Sequence, residues 1–473
     1  MGVLLSRSLP PRALPPIAAG PLPAEAREEW HSIYGGGTKI GYSHRVRTPT
    51  ADGFAVRADA LMEIRMMEAA QRVRTQVVAE TDRGLHLRRF EFRLRSGTID
   101  FEVSGAVREG TLELVSETLG RQTLPLPSEA PITLSETLQD VLGQQTLETG
   151  KTLRYSLFDP LSGAPAAVSL TVGPLERVVL PSGERSARRV DQEFRGARFR
   201  LWVETDGSII KEEGPLGFTL VREADASAAL AGIDADGGVD LVTAASIPVA
   251  RAIDLPRSTG RLWLRILEAP EQLSLSFPPR QRVEGSDLVI ERENLETVRS
   301  FALPERDPRF AEDLRATPFL QVDDPRVLAR SREILGAERD AERAARALLD
   351  WVHKNIAKVP TISVPNAAQV LDQRKGDCNE HAVLYAALAR AAGLPARIAS
   401  GVVYMPGGLD LPGAFYYHAW NEVWLGAWVA VDPTFGQFPA DATHVQLAEG
   451  GLEQDVSLIG VIGHLRFDVE RFS

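Results

Sequence analysis

Three side chains in this sequence could together perform nucleophilic chemistry, and the first is alone of its kind. The stretch RKGDCNEHAVLYAALARAAGLPAR, Arg374 to Arg397, holds Cys378, the only cysteine among 473 residues. A thiol attacks a carbonyl as its thiolate, so it needs surroundings that favour the anion and a base that takes the proton. Behind Gly376 and Asp377, residues His381, Tyr385, Leu388, Ala389 and Ala392 recur at helical spacing, and Gly393-Leu394-Pro395 ends the run. Cys378 therefore falls in the first turn of a predicted helix. Unpaired amide N–H groups and the positive end of the helix dipole meet there, and both favour thiolate. A cysteine serving as a small hydrophobe belongs in mid-helix on the apolar face; that reading is weakened by the position and stays open.

Eight histidines are available as the base: His31, His44, His86, His353, His381, His418, His444 and His464. His381 lies on the inward stripe of the cysteine's own helix, which favours packing. Cys-x-x-His could be half of a metal site, but no second ligand pair follows. His418 sits in FYYHAWNEVWLGAWVAVDPTFG, Phe415 to Gly436, which reads as two strands about a turn at Leu425-Gly426-Ala427. His418, Trp420, Glu422 and Trp424 share one face of the first strand. A two-residue turn at Gly426-Ala427 would set Asp432 opposite Asn421, on the wrong face. A three-residue turn pairs Trp424 with Trp428 and Trp420 with Asp432, putting the carboxylate diagonal to His418, about 7–8 Å away along the ladder. The imidazole Nδ1–H is then expected to reach Asp432. Singly, His418 also reads as a satisfied hairpin histidine and Asp432 as an Asp-Pro turn starter.

Four segments together resemble a family. Gly-Asp-Cys opening a helix, Ala-Gly-Leu-Pro-Ala-Arg after it, His-Ala-Trp-Asn-Glu-Val, and Trp-Val-Ala-Val-Asp-Pro-Thr are similar to the transglutaminase-like core of the papain-like cysteine enzymes, over about Asp324 to Gly436. The resemblance implies Cys378 as nucleophile, His418 as general base and acid, and Asp432 as the carboxylate that orients it. It implies attack by a thiolate–imidazolium pair on an amide carbonyl of a protein or peptide, giving a thioester that water or an amine resolves. Hydrolysis is the expected outcome; cross-linking to an amine and a catalytically idle binding protein are the alternatives. The oxyanion would meet the backbone N–H of Cys378 and an upstream side chain, Gln369 or Asn366. Tyr417, Trp420 and Trp424 would wall the cleft or pack the core. No cofactor or metal is expected: a lone cysteine excludes sites built on several thiolates, and the acidic stretch DADGGVD (Asp234 to Asp240) has Ala245 where a calcium loop places its bidentate glutamate.

These residues need a scaffold, and the pattern around them predicts an α+β chain. From Tyr34 to about Arg222, partly alternating runs between short Gly-containing turns predict an antiparallel β sandwich or open barrel, with the hairpin Arg198 to Gly214 and one short helix over about 130–143. GRLWLRILEA and QLSLSFPP predict strands in a second β-rich stretch. Helices follow from Asp324-Pro325 and over Ala341 to Ile356, leading into the cysteine helix. The expected organisation is a leader over 1–29, a β-rich domain over 30–225, a second β-rich or linker region over 226–300, and the transglutaminase-like catalytic domain over 301–473, papain-like with helices packed on an antiparallel sheet. The net charge of −11 disfavours nucleic acid as a partner. No apolar run approaches the roughly 18 residues a membrane span needs. The proline-rich leader fits an exported and a cytosolic chain equally, and no oligomeric state is assigned.

Overall fold

The computed structural model describes residues 25–473 apart from 67–68, 98, 118–119, 127–131, 162, 196, 235–239, 271–272, 361–365, 408–412, 451–457 and 459–460. Most of the leader and of the acidic turn at 234–240 lies outside the described residues. The chain forms two compact units, the first up to Ile64 and over Gln71–Gly238, the second over Arg65–Ala70 and Val239–Ser473. Among the described residues no helix is long and apolar enough to cross a membrane.

Among the described residues, the strands of the first unit form one hydrogen-bonded sheet of fifteen. Of the expected sandwich or open barrel, the strands form one continuous sheet, adding edge to edge in chain order. The sheet nevertheless curls back on itself, since Phe90 of Leu87–Ser96 meets Phe158 of the distant strand Thr152–Asp159 at 5.1 Å. The order breaks between Gly120–Pro125 and Ile132–Thr133, and the first strand, Arg27–Gly35, pairs with the last, Phe218–Glu223. The expected hairpin forms from Ala197–Val203 and Ile209–Glu213, and the expected short helix is Leu138–Gly143. Leu138, Val141 and Leu142 bury against Tyr155, Leu157, Leu170 and Leu201 of the strands. The helix also sends the fully buried Asp140 to Arg45 and Arg47, while Arg45 reaches Glu29 at 3.0 Å. Charges this deep are tolerated because each is paired within the network.

The second unit begins earlier than the sequence predicts. Residues from 239 onward belong with the cysteine core, because their strands pair with strands from the end of the chain. Arg261–Glu268 lies between Asp287–Glu291 and the C-terminal strand Arg466–Phe472, and Gln281–Glu284 completes that four-stranded sheet. The expected region over 226–300 is thus split between the units. Of its second predicted strand, the described residues 273–279 make only a bridge from Phe277 to Gln281, since Pro278 and Pro279 have no N–H to donate to a ladder.

A second sheet carries the candidate site. The histidine strand, Ala414–Trp424, pairs antiparallel with Ala396–Met405, with the short strand Trp428–Val431 and with Ser246–Pro248; His444–Gly450 pairs on the far side of Ala396–Met405. Against this sheet lies the cysteine helix, Cys378–Ala391, with every residue from Glu380 to Arg390 buried. Between the polar Glu380 and His381 at its start and Arg390 at its end, the covered stretch Ala382 to Ala389 is apolar on every side but for the Tyr385 hydroxyl, and its alanines let neighbours approach closely. Ala382, Ala386 and Leu388 share one buried cluster with Ala419, Val423, Val429 and Val431 of the strands and with Val327, Leu348 and Val352 of the helices Pro325–Leu335 and Ala341–Asn355.

Candidate active site

The start of the cysteine helix is fixed by its own residues. The Asp377 carboxylate accepts the Asn379 N–H at 2.8 Å, and the Glu380 carboxylate accepts the Asp377 N–H at 2.8 Å, a reciprocal capping box. Glu380 folds back so far that a Cβ on residue 376 would lie 2.3 Å from its Cβ and Cγ, so Gly376 is required by close approach. Cys378 follows as the first helical residue and is half-buried. His381 is completely buried, and its Nδ1 lies 2.6 Å from the Asp377 carbonyl oxygen. It is a packed residue of the helix, and burial lowers its pKa.

The hairpin takes the three-residue turn: Trp424 pairs with Trp428 and Asn421 with Val431. Gly426 has φ +94°, and a Cβ there would sit 2.7 Å from the Arg299 carbonyl oxygen, so the turn depends on glycine. In this register Asp432 comes onto the face of His418, and His418 Nε2 lies 2.9 Å from Asp432 Oδ2. The nitrogen differs from the expected Nδ1, which leaves Nδ1 as the ring's second site. Asp432 is wholly buried. Its Oδ1 accepts the N–H groups of Thr434 at 2.7 Å and Phe435 at 3.0 Å. Burial pushes its pKa up, but His418 and His444 outweigh that and hold it well below the carboxylate range. Burial of His418 lowers its pKa, against the pull of Asp432. Phe435 stacks on that ring at 4.7 Å and 11°, with the Arg257 guanidinium 4.4 Å above Phe435.

Two ties bring the cysteine helix and the hairpin together. The Tyr417 hydroxyl donates to Asn379 Oδ1 at 2.8 Å, linking the residue before His418 to the residue after Cys378. Asn421 Nδ2, four residues further along the strand, donates to the Ala382 carbonyl at 3.0 Å. Of the other predicted residues, Asn366 caps the helix Ala367–Gln373 by accepting the Gln369 N–H at 2.9 Å, and Gln369 itself is exposed. Trp420 is fully buried with Ala399, Ala430 and Ala440, in the core rather than on a cleft wall. Trp424 is half-buried and meets Trp428 at 5.7 Å and Phe310 at 4.9 Å.

Sequence reasoning missed His444 and Asp441. Both are fully buried, and His444 Nε2 lies 3.1 Å from the same Asp432 Oδ2 that His418 contacts. The available signal was a second Asp-to-His pair, Asp441 and His444, nine and twelve residues past Asp432. His418, Asp432 and His444 offer donor atoms within 4.8 Å of one another, a spacing a cation could use. Here both ring nitrogens point at one carboxylate oxygen, which makes the cluster a hydrogen-bonded relay.

Residues 329–433, which include Cys378, His418 and Asp432, match the transglutaminase-like superfamily. A protein-glutamine gamma-glutamyltransferase of Pseudomonas aeruginosa is 34% identical over 143 residues, 28% of this chain and 20% of that protein. An uncharacterised protein of Mycobacterium leprae is 28% identical over 175 residues, 34% of this chain and 60% of its own length. The chain thus spans a fifth and three fifths of these curated relatives. Among solved structures, the periplasmic domain of TgpA from Pseudomonas aeruginosa aligns at 21% identity over 40% of this chain and 93% of that one, with a TM-score of 0.24.

Proposed function

We propose that this chain is a cysteine enzyme of the transglutaminase-like superfamily with a papain-like core, which cleaves amide bonds of a protein or peptide through a thioester on Cys378. Cys378 and His418 act as a thiolate–imidazolium pair: the sulfur attacks the carbonyl with its proton held at Nδ1 of His418, while Asp432 accepts Nε2–H and stabilises the imidazolium. The amide N–H of Cys378, at the positive end of its helix, is the donor for the tetrahedral oxyanion. The imidazolium then protonates the leaving amine. Water, activated by the same ring, resolves the thioester and returns the thiol.

The observation that carries this reading is the Tyr417–Asn379 hydrogen bond together with the His418–Asp432 contact. One joins the immediate neighbours of Cys378 and His418; the other supplies the oriented base. Water is the favoured acceptor because it is in vast excess and needs no docking site, whereas an amine must be bound to compete. The 34% identity to a gamma-glutamyltransferase supports amine transfer as the second reading. Incubation with labelled casein, with and without a fluorescent primary amine, separates the two. New peptide ends, or glutamine converted to glutamate, mark hydrolysis, and amine incorporated into protein marks transfer; ammonia is released from glutamine in both. Cys378→Ala is expected to lower either signal by about 10⁴-fold or more. Full activity in that variant would leave only a binding role for the core.

A further inference from the structure

The contact between His418 and Asp432 fixes one corner of an imidazole. A single hydrogen bond sets a point and leaves the plane of the ring able to tilt. That plane is set by aromatic rings. Phe435 lies on His418 with 4.7 Å between centroids and 11° between planes, and Trp420 is nearly parallel to it as well, at 6.2 Å and 20°. Trp420 is fully buried in the core, whereas Phe435 is half-buried and belongs to a turn, so other groups must keep it in place.

Three ties do so. The Phe435 N–H donates to Asp432 Oδ1 at 3.0 Å, which couples its position to that of the carboxylate. His353 Nδ1 lies 3.1 Å from the Thr434 carbonyl oxygen, and Gly436, at φ +70°, leaves room for that imidazole, since a Cβ there would lie 2.9 Å from His353 Nε2. The Arg257 guanidinium covers Phe435, its carbon 4.4 Å from the ring centroid. Arg257 is anchored in turn: Nη1 donates to Asp441 Oδ2 at 2.9 Å, while Nη2 donates to the Tyr404 carbonyl and lies 3.4 Å from Met405 Sδ. Its own carbonyl accepts Gln437 Nε2 at 3.2 Å, from the residue two past Phe435. Arg257 and Phe435 both lie outside residues 329–433, so the segment shared with the superfamily does not supply them.

We propose that Phe435 and Arg257 are positioning residues, a stacked pair that holds the plane of His418 so that Nδ1 keeps one direction, toward Cys378. The proposal rests on the assignment of Cys378 and His418 as the reacting pair made above. Neither residue touches the reacting atoms in this role; both act through the imidazole ring. The pair depends steeply on aim, because a hydrogen bond weakens sharply once its angle falls below about 120°, and a misplacement of about 1 Å can cost about 100-fold in rate. A flat phenyl face accepts a neutral or a charged imidazole alike, so the stack survives each proton exchange of the cycle.

Variants of the full chain test this, each measured beside its unfolding midpoint. Phe435→Leu stays apolar but loses the flat face. Alkylation of Cys378 by iodoacetamide at neutral pH is then expected to slow by about 10-fold or more, and kcat on casein to fall likewise with KM unchanged. Phe435→Tyr restores the face and should recover most of the rate. Arg257→Lys keeps a charge beside Asp441 without the planar cover, and should show a smaller loss of the same kind. Proton NMR gives a reading without substrate: the upfield ring-current shift of the His418 ring protons should vanish in Phe435→Leu, persist in Phe435→Tyr and shrink in Arg257→Lys. An unchanged rate in Phe435→Leu, or equal losses in the Leu and Tyr variants, would overturn the proposal. A loss that only follows the unfolding midpoint would mean a merely structural residue and overturn it as well. If the alkylation and ring-proton signatures hold but no amide is cleaved or transferred, the enzyme reading fails and the placement of His418 stands; amide cleavage at full rate in Phe435→Leu has the opposite meaning.

Discussion

Asp432 receives four donors, two from its own turn and two from imidazoles, so its charge and position are fixed before any substrate arrives. Asp432→Asn keeps the shape but, with its oxygen held by the Thr434 and Phe435 N–H groups, turns its NH₂ toward both rings, forcing a wrong tautomer on His418. We expect a fall of about 10³- to 10⁴-fold in the activity of Cys378, with little loss of thermal stability by comparison. His444 gives a pH signature in stability. Its folded-state pKa is raised, so the stability it contributes is fully present below the unfolded value of about 6.5 and is lost as pH rises through the raised value. The midpoint of unfolding of the native chain should therefore drop toward that of His444→Gln as pH is taken from 6 to 9. A difference that stays constant with pH would rule this out. The proposed Cys378, His418 and Asp432 could be picked out in the sequence because each sits beside local punctuation: a Gly-Asp helix start, a strand of alternating aromatics, an Asp-Pro turn. His444 has no such punctuation. Its partner is set by the meeting of the Asp432 turn and the strand His444–Gly450, a contact that no local pattern encodes.

At the level of elements, the hairpin turn and the helix start do different work. Replacing Gly426 by valine forces a β-branched residue into φ +94° and drives its Cβ toward the Arg299 carbonyl, at a cost of about 1–3 kcal/mol. The larger effect falls on register. A shift to a two-residue turn would swing Asp432 to the face opposite His418, so Gly426→Val should lose more activity than its change in denaturation midpoint explains. Asp377→Ala removes one half of the capping box and should cost about 1 kcal/mol. It should also slow alkylation of Cys378 at neutral pH, since the first turn frays under the thiol. The sequence limited the hairpin to two registers and named the one the chemistry requires. It mistook the nitrogen, because which edge of the ring meets Asp432 depends on the packing of Phe435 and Trp420.

On the scale of the whole molecule, alternation told where strands lie but not how they join. A single curled sheet and two stacked sheets bury the same alternating residues, so a sandwich was a fair expectation beside an open barrel. In the second unit the strand Arg261–Glu268 waits for Arg466–Phe472, some two hundred residues later, which is why the expected boundary near 300 fell too late. Deleting residues 466–473 removes the buried Phe467 and Val469 and leaves Arg261–Glu268 with a bare edge. We expect a loss of about 4 kcal/mol from those two side chains, seen as faster proteolysis of the second unit.

The pairing of Trp30 with Glu223 in the first unit has a consequence for how the chain is made. Among the described residues, every other pairing in that sheet joins strands consecutive in the chain, so they can zip together as they leave the ribosome. Arg27–Gly35 alone must keep one side open until Phe218–Glu223 has been synthesised. A translation pause before residue 218 would leave that edge free to recruit a strand from another nascent copy. The last strand of the sheet thus acts as its own chaperone, and the timing of its arrival matters as much as its sequence.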